Sequence, residues 1–94
     1  MKARHFSEVK KFEDIPNVGP RIAGDFKNLG MKQPQDLIGR DGFELYQKLC
    51  METGQRHDPC VLDTFMAVTD FMNGGEPMPW FSYTAKRKRL YPDV

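Results

Sequence analysis

Ninety-four residues allow one domain with a modest core, and leave too little chain for a deep substrate pocket beside it. Hydrophobic residues make up 39% and charged residues 29%, and no apolar run is long enough for a bilayer span or a secretory leader, so the cytoplasm is the expected compartment and no membrane partner is expected. The net charge of +1 is zonal: residues 1–32 carry seven basic side chains against four acidic, residues 33–76 three against eight, and residues 77–94 four against one.

The predicted elements are helical throughout, since no stretch alternates as a strand would. Ser7 is placed to cap a short first helix with Val9, Phe12 and Ile15 spaced by three, ended by Pro16. A second helix opens at Pro20, where the missing N–H costs nothing, presents Ile22, Ala23, Phe26 and Leu29 on one face, and stops at Gly30. A single turn follows at Pro34–Ile38. Asp41-Gly42-Phe43-Glu44 reads as a capping box opening a helix buried through Leu45, Tyr46, Leu49 and Cys50 and closed by Gly54. Asp58-Pro59 opens another, buried through Val61, Leu62, Phe65, Val68 and Met72 and closed by Asn73-Gly74-Gly75. The prolines of Pro77-Met78-Pro79-Trp80 force an extended path, so the reading ends in an extended tail.

The fold class is therefore all-α: about five short helices over residues 1–76, with residues 77–94 an aromatic and basic tail on the same domain. A shift of 23 residues aligns Ile15 with Ile38, Gly19 with Gly42, Ile22 with Leu45 and Phe26 with Leu49, which suggests two helix-turn-helix units sharing one core.

The informative segment is Phe12-Glu13-Asp14-Ile15-Pro16-Asn17-Val18-Gly19-Pro20-Arg21-Ile22-Ala23. The first amides of a helix have no internal acceptor and the helix dipole adds positive character to them, so a tight bend before Pro20 offers the N–H groups of Gly19, Arg21 and Ile22 to an anion. Asparagine is the non-glycine residue best able to take a left-handed conformation, which suits Asn17, while Val18 is expected to pack under the bend. Arg21 adds a charged contact, and Lys27 reaches further along a strand. Backbone contacts of this kind carry no base information.

The segment resembles the helix-hairpin-helix motif of DNA-repair and recombination proteins, whose turn reads proline-glycine-valine-glycine followed by proline, a basic residue and alanine; Asn17 stands at the first glycine. The resemblance implies sequence-independent binding to the DNA phosphate backbone through Asn17, Val18, Gly19, Arg21, Ile22 and Lys27, accessory to repair, recombination or uptake. It also implies a monovalent cation on the hairpin carbonyls. Gly39-Arg40-Asp41-Gly42, the equivalent turn of the second unit, puts a carboxylate where phosphate would sit, and reads as structural. Residues 12–88 further resemble small bacterial helix-hairpin-helix proteins of a pathogenicity-locus family, through Asp14-Ile15-Pro16-Asn17-Val18-Gly19, Asp36-Leu37, Leu45-Tyr46, Asp58-Pro59-Cys60-Val61-Leu62-Asp63 and Trp80-Phe81-Ser82-Tyr83-Thr84. Some members carry a mitomycin-resistance label, although no residue pattern here suggests drug binding.

Other constellations are weaker. Cys50, His57 and Cys60, with Asp58 or His5 as a fourth ligand, have spacings a metal could use, but both cysteines read better as reduced core residues. Asp36 and Asp41 lie where a hairpin-bearing glycosylase would place its carboxylate, yet one flanks a single turn and the other is a cap, so no enzyme is expected. Trp80 and Phe81 are expected to fold back over the core, and the role of the basic run 86–89 stays open. The alternative function is a helical adaptor that meets a protein partner through Asp36, Asp41, Glu44 and Glu52, with a structural hairpin.

Overall fold

The computed structural model describes residues 2–94, which form four α-helices, four single 3-10 turns and no strand. The helices are α1 (Pro20–Asn28), α2 (Gly42–Thr53), α3 (Pro59–Met72) and α4 (Thr84–Leu90), and the 3-10 turns are Phe6–Glu8, Phe12–Asp14, Pro34–Leu37 and Trp80–Tyr83. None of these helices is long and apolar enough to cross a membrane.

The helix expected from Ser7 to Ile15 is absent; two 3-10 turns take its place, the first capped by His5. Strict spacing by three is the period of a 3-10 helix, so Val9, Phe12 and Ile15 all reach the core without an α-helix. Two carboxylates hold the alternative path. Glu8 accepts the N–H groups of Arg4 and His5 at 2.9 and 3.0 Å, and Asp14 those of Lys10 and Lys11 at 3.0 and 3.1 Å. Asp36 repeats the arrangement with Lys32 and Gln33 at 2.8 and 3.2 Å, ahead of α2.

Helix α3 is the hub, with Val61 through Thr69, Phe71 and Met72 all buried. Its two buried threonine hydroxyls donate to carbonyls one turn back, Thr64 to Cys60 at 3.0 Å and Thr69 to Phe65 at 2.9 Å, so neither is left unsatisfied. Phe26 of α1 lies between Phe12 and Phe65, with ring centroids 5.8 and 5.1 Å away, and couples the N-terminal turns to the hub. Gly42 lets α2 approach α3: a Cβ there would stand 2.9 Å from the Met66 main-chain nitrogen. The Asp41 cap forms, its carboxylate accepting the Glu44 N–H at 3.1 Å, but Glu44 does not close the box and instead ion-pairs with Arg40 at 2.7 Å.

The expectation of an extended tail needs correcting too. Residues beyond Pro79 wind into a 3-10 turn and then α4, because Thr84 to Leu90 lie past the prolines and a buried charge pair holds them on α3. Asp63, fully buried, accepts Arg87 Nε and Thr84 Oγ1, each at 2.8 Å. Tyr91 then stacks on Phe43 of α2, with centroids 4.1 Å apart and rings within 4° of parallel. Phe81 is not folded over the core; it is 63% exposed, while Trp80 is half-buried against it edge to face. Cys60 is likewise no core residue: it is exposed on the first turn of α3, and a hydrogen bond from its thiol to Asp58, ahead of burial, raises its pKa. Cys50 is half-buried, and among the described residues no three His, Cys, Asp or Glu side chains gather as a metal site would require.

Candidate nucleic-acid interface

The bend between Phe12–Asp14 and α1 is closed by the Val18 N–H donating to the Ile15 carbonyl at 3.1 Å. Pro16 and Asn17 occupy its two central positions. Asn17, at φ +75°, is the one non-glycine residue with positive φ among those described, which is the left-handed second position of a type II turn. Val18 is completely buried and anchors the bend from below.

Gly19 is the N-cap of α1, and its carbonyl takes the first intrahelical bond, from the Ala23 N–H at 3.0 Å. No side chain caps this helix, and the N–H groups of Gly19, Arg21 and Ile22 have no acceptor among the described residues. Gly19 needs neither a positive φ nor room inside the fold: its φ is −103°, and a Cβ would meet nothing within 4 Å. Arg21 is exposed and makes no ion pair among the described residues; Gly19 and Ile22 are half-buried.

The other two long helices differ at the same point. At α2 the Asp41 carboxylate sits on the Glu44 N–H, and at α3 the Asp58 carboxylate sits on the Cys60 N–H at 2.8 Å. Each supplies its own anion to its own helix start; α1 does not. The glycines that the 23-residue shift aligns are also unlike, Gly42 packed against the α3 backbone and Gly19 facing open space.

The structure brings Asn17, Val18, Gly19, Arg21 and Ile22 together at one bend. Lys27 stands apart, exposed in the last turn of α1, about 9 Å along the axis from Arg21 and about 120° round the helix. Asp25, one turn above Arg21, is the acidic neighbour on α1; burial raises its pKa, with Arg21 opposing.

Two features of the bend were not evident from the sequence. The Asn17 side chain clamps the C-terminal segment, its Nδ2 donating to the Met78 carbonyl at 2.8 Å and its Oδ1 accepting the Trp80 N–H at 3.1 Å. The departure from glycine was the available signal, because a side chain at that position has work a hydrogen atom cannot do. Lys2 is the other: its side chain is exposed, and its ammonium donates to the carbonyls of Glu13 and Val18, on either side of the bend in sequence. Sixteen positions separate Lys2 from Val18, and nothing local to Lys2 marks it.

Three of the four acids that the adaptor reading names are engaged. Asp36 holds two main-chain N–H groups, Asp41 caps α2, and Glu44 pairs with Arg40, while Glu52 is exposed and has no hydrogen-bond or ion-pair partner among the described residues.

A family model described as Cdd1, pathogenicity locus, matches residues 5–89, which take in the bend, α1 to α3 and nearly all of α4. The chain is 43% identical over 84 residues to the mitomycin resistance protein McrB of Streptomyces lavendulae, a match covering 89% of this chain and 80% of that protein. No solved structure matches. On the family match and this relative together, the chain belongs to the pathogenicity-locus family.

Proposed function

We propose that this chain binds DNA without regard to sequence, taking a backbone phosphate oxygen at the open start of α1. The observation that carries the reading is the contrast among helix starts: α2 and α3 are filled by Asp41 and Asp58, whereas α1 presents the amides of Gly19, Arg21 and Ile22 beside an exposed arginine. On this reading Phe12–Asn28 is a working helix-hairpin-helix unit and Pro34–Thr53 its filled counterpart, with Asp41 in the place of the phosphate. Val18 and Asn17 act by shaping the bend, Arg21 by direct contact, and Lys27 by a separate contact further along the strand. The module binds rather than catalyses, as an accessory to DNA repair, recombination or uptake in the cytoplasm.

Commitment of Asp36, Asp41 and Glu44 to internal partners weighs against the adaptor, which needs those carboxylates for a protein partner.

The test is a salt titration of fluorescence anisotropy on two unrelated duplexes. Equal affinity for both is expected, with log K falling against log salt at a slope of about −2 to −3, as two or three phosphate contacts require. Arg21→Glu should abolish most of the binding while the helical circular dichroism is kept. Absence of salt-dependent binding, or an Arg21→Glu variant that binds like the parent, refutes the reading.

A further inference from the structure

The most unusual side-chain placement at the bend is that of Lys2. Its position is fixed by the next residue, whose N–H (Ala3) donates to the Asp14 carbonyl at 2.7 Å. From there the ammonium reaches two carbonyls of the bend, Glu13 at 2.7 Å and Val18. Glu8 and Asp14 line the same open pocket as Lys2, but neither of the two ion pairs among the described residues involves it, so its ammonium is held by main-chain carbonyls and not by a carboxylate. An ammonium has three N–H donors, and two are used. The Val18 carbonyl belongs to the same peptide group as the Gly19 N–H, and a cation on the oxygen of an amide makes its N–H a stronger donor.

The resemblance to helix-hairpin-helix proteins implied a monovalent cation on the hairpin carbonyls. The residues present do not fit that expectation, since two of those carbonyls already receive Lys2. We propose that Lys2 is the cation of this site: its tethered ammonium replaces a bound metal ion, polarises the Val18–Gly19 peptide, and gives its third N–H to the phosphate that the α1 amides hold. The proposal rests on the phosphate-binding reading of the bend and names the charge that completes it. A surface lysine that binds phosphate ordinarily surrenders rotamer freedom; Lys2 is already held in place, so that cost is reduced.

The experiment measures affinity for one duplex in potassium chloride and in tetramethylammonium chloride at equal ionic strength, tetramethylammonium being too bulky to sit among the carbonyls. The proteins are the parent, Lys2→Met and Lys2→Gln; the glutamine amide can still donate to the carbonyls, so that variant removes the charge while sparing the fold. The parent is expected to bind equally in the two salts. Both variants should bind about tenfold more weakly in tetramethylammonium, the effect of one charge-assisted hydrogen bond, with the salt slope reduced by about one. A parent that loses affinity in tetramethylammonium needs a metal ion after all, and that result overturns the proposal. So does a folded Lys2→Gln variant that matches the parent while Arg21→Glu has lost binding; there the phosphate reading survives and the role of Lys2 does not. If the parent shows no salt-dependent binding in either salt, both fall together.

Discussion

At Gly19 the main chain is extended at φ −103°, and the direction a side chain would take leads into open space. An alanine there costs the folded state nothing and restricts the unfolded chain, so Gly19→Ala is expected to leave stability unchanged or raise it by up to about 1 kcal/mol. If the α1 start takes a phosphate as proposed, the methyl group would stand in the path of the oxygen approaching the Gly19 amide, and DNA affinity should fall several-fold. Thermal melts and anisotropy on the same preparation check both halves, and a variant with undiminished affinity would mean that nothing docks against Gly19. Asn17 joins two tasks in one residue: its backbone makes the left-handed turn, and its amide holds Met78 and Trp80.

At the scale of elements, α1, α2 and α3 were legible because their ends are written locally. Pro20, Asp41 and Asp58-Pro59 mark the starts and Gly30 and Gly54 the left-handed stops, at φ +93° and +66°. The first predicted helix failed because Val9, Phe12 and Ile15 satisfy a period of three as readily as one of 3.6, and the arbiters were carboxylates that bond the main chain sideways. Helix α4 was illegible for a different reason: Arg87 finds Asp63 across 24 positions, a pairing that no local pattern discloses. The bend of the candidate site was readable from Pro16 to Ile22, whereas Lys2 depends on a long-range contact.

The Asp63–Arg87 pair anchors α4 on α3. Asp63 is completely buried and Arg87 is 8% exposed, so truncating the arginine leaves a carboxylate desolvated and unpaired. Arg87→Met should destabilise by about 3–5 kcal/mol, a large part of a small domain's stability, and adding Asp63→Leu should recover much of the loss. Denaturant melts of the single and double variants decide it; a single variant as stable as the parent would mean that α4 is not anchored by this pair.

For the whole molecule, pH is the informative variable. Glu8, Asp14, Asp36 and Asp58 are all held below their ordinary values, 4.5 for the glutamate and 3.8 for the aspartates, chiefly by the main-chain N–H groups they accept. A depressed carboxylate stabilises the fold fully above its ordinary value, and that contribution is lost as pH falls through the lower, folded value. Asp25 acts in the opposite sense, since burial raises it and protonation there favours the fold, but it is one group against four. The melting temperature should therefore stay level down to about pH 5 and drop below about pH 4. A melting temperature that rises on acidification would contradict the role given to these carboxylates.

The zonal charge fits a molecule that meets a polyanion with part of its surface, and the proposed contact lies at one bend. Titrating the 15N-labelled protein with a short duplex and following its amide resonances tests this most directly. Shifts should concentrate at Gly19, Arg21 and Ile22 and fade along α1, while the amides of Glu44 and Cys60, already on their own carboxylates, stay still. Unmoved resonances at the start of α1, with the largest changes at α2 or α3, would contradict it.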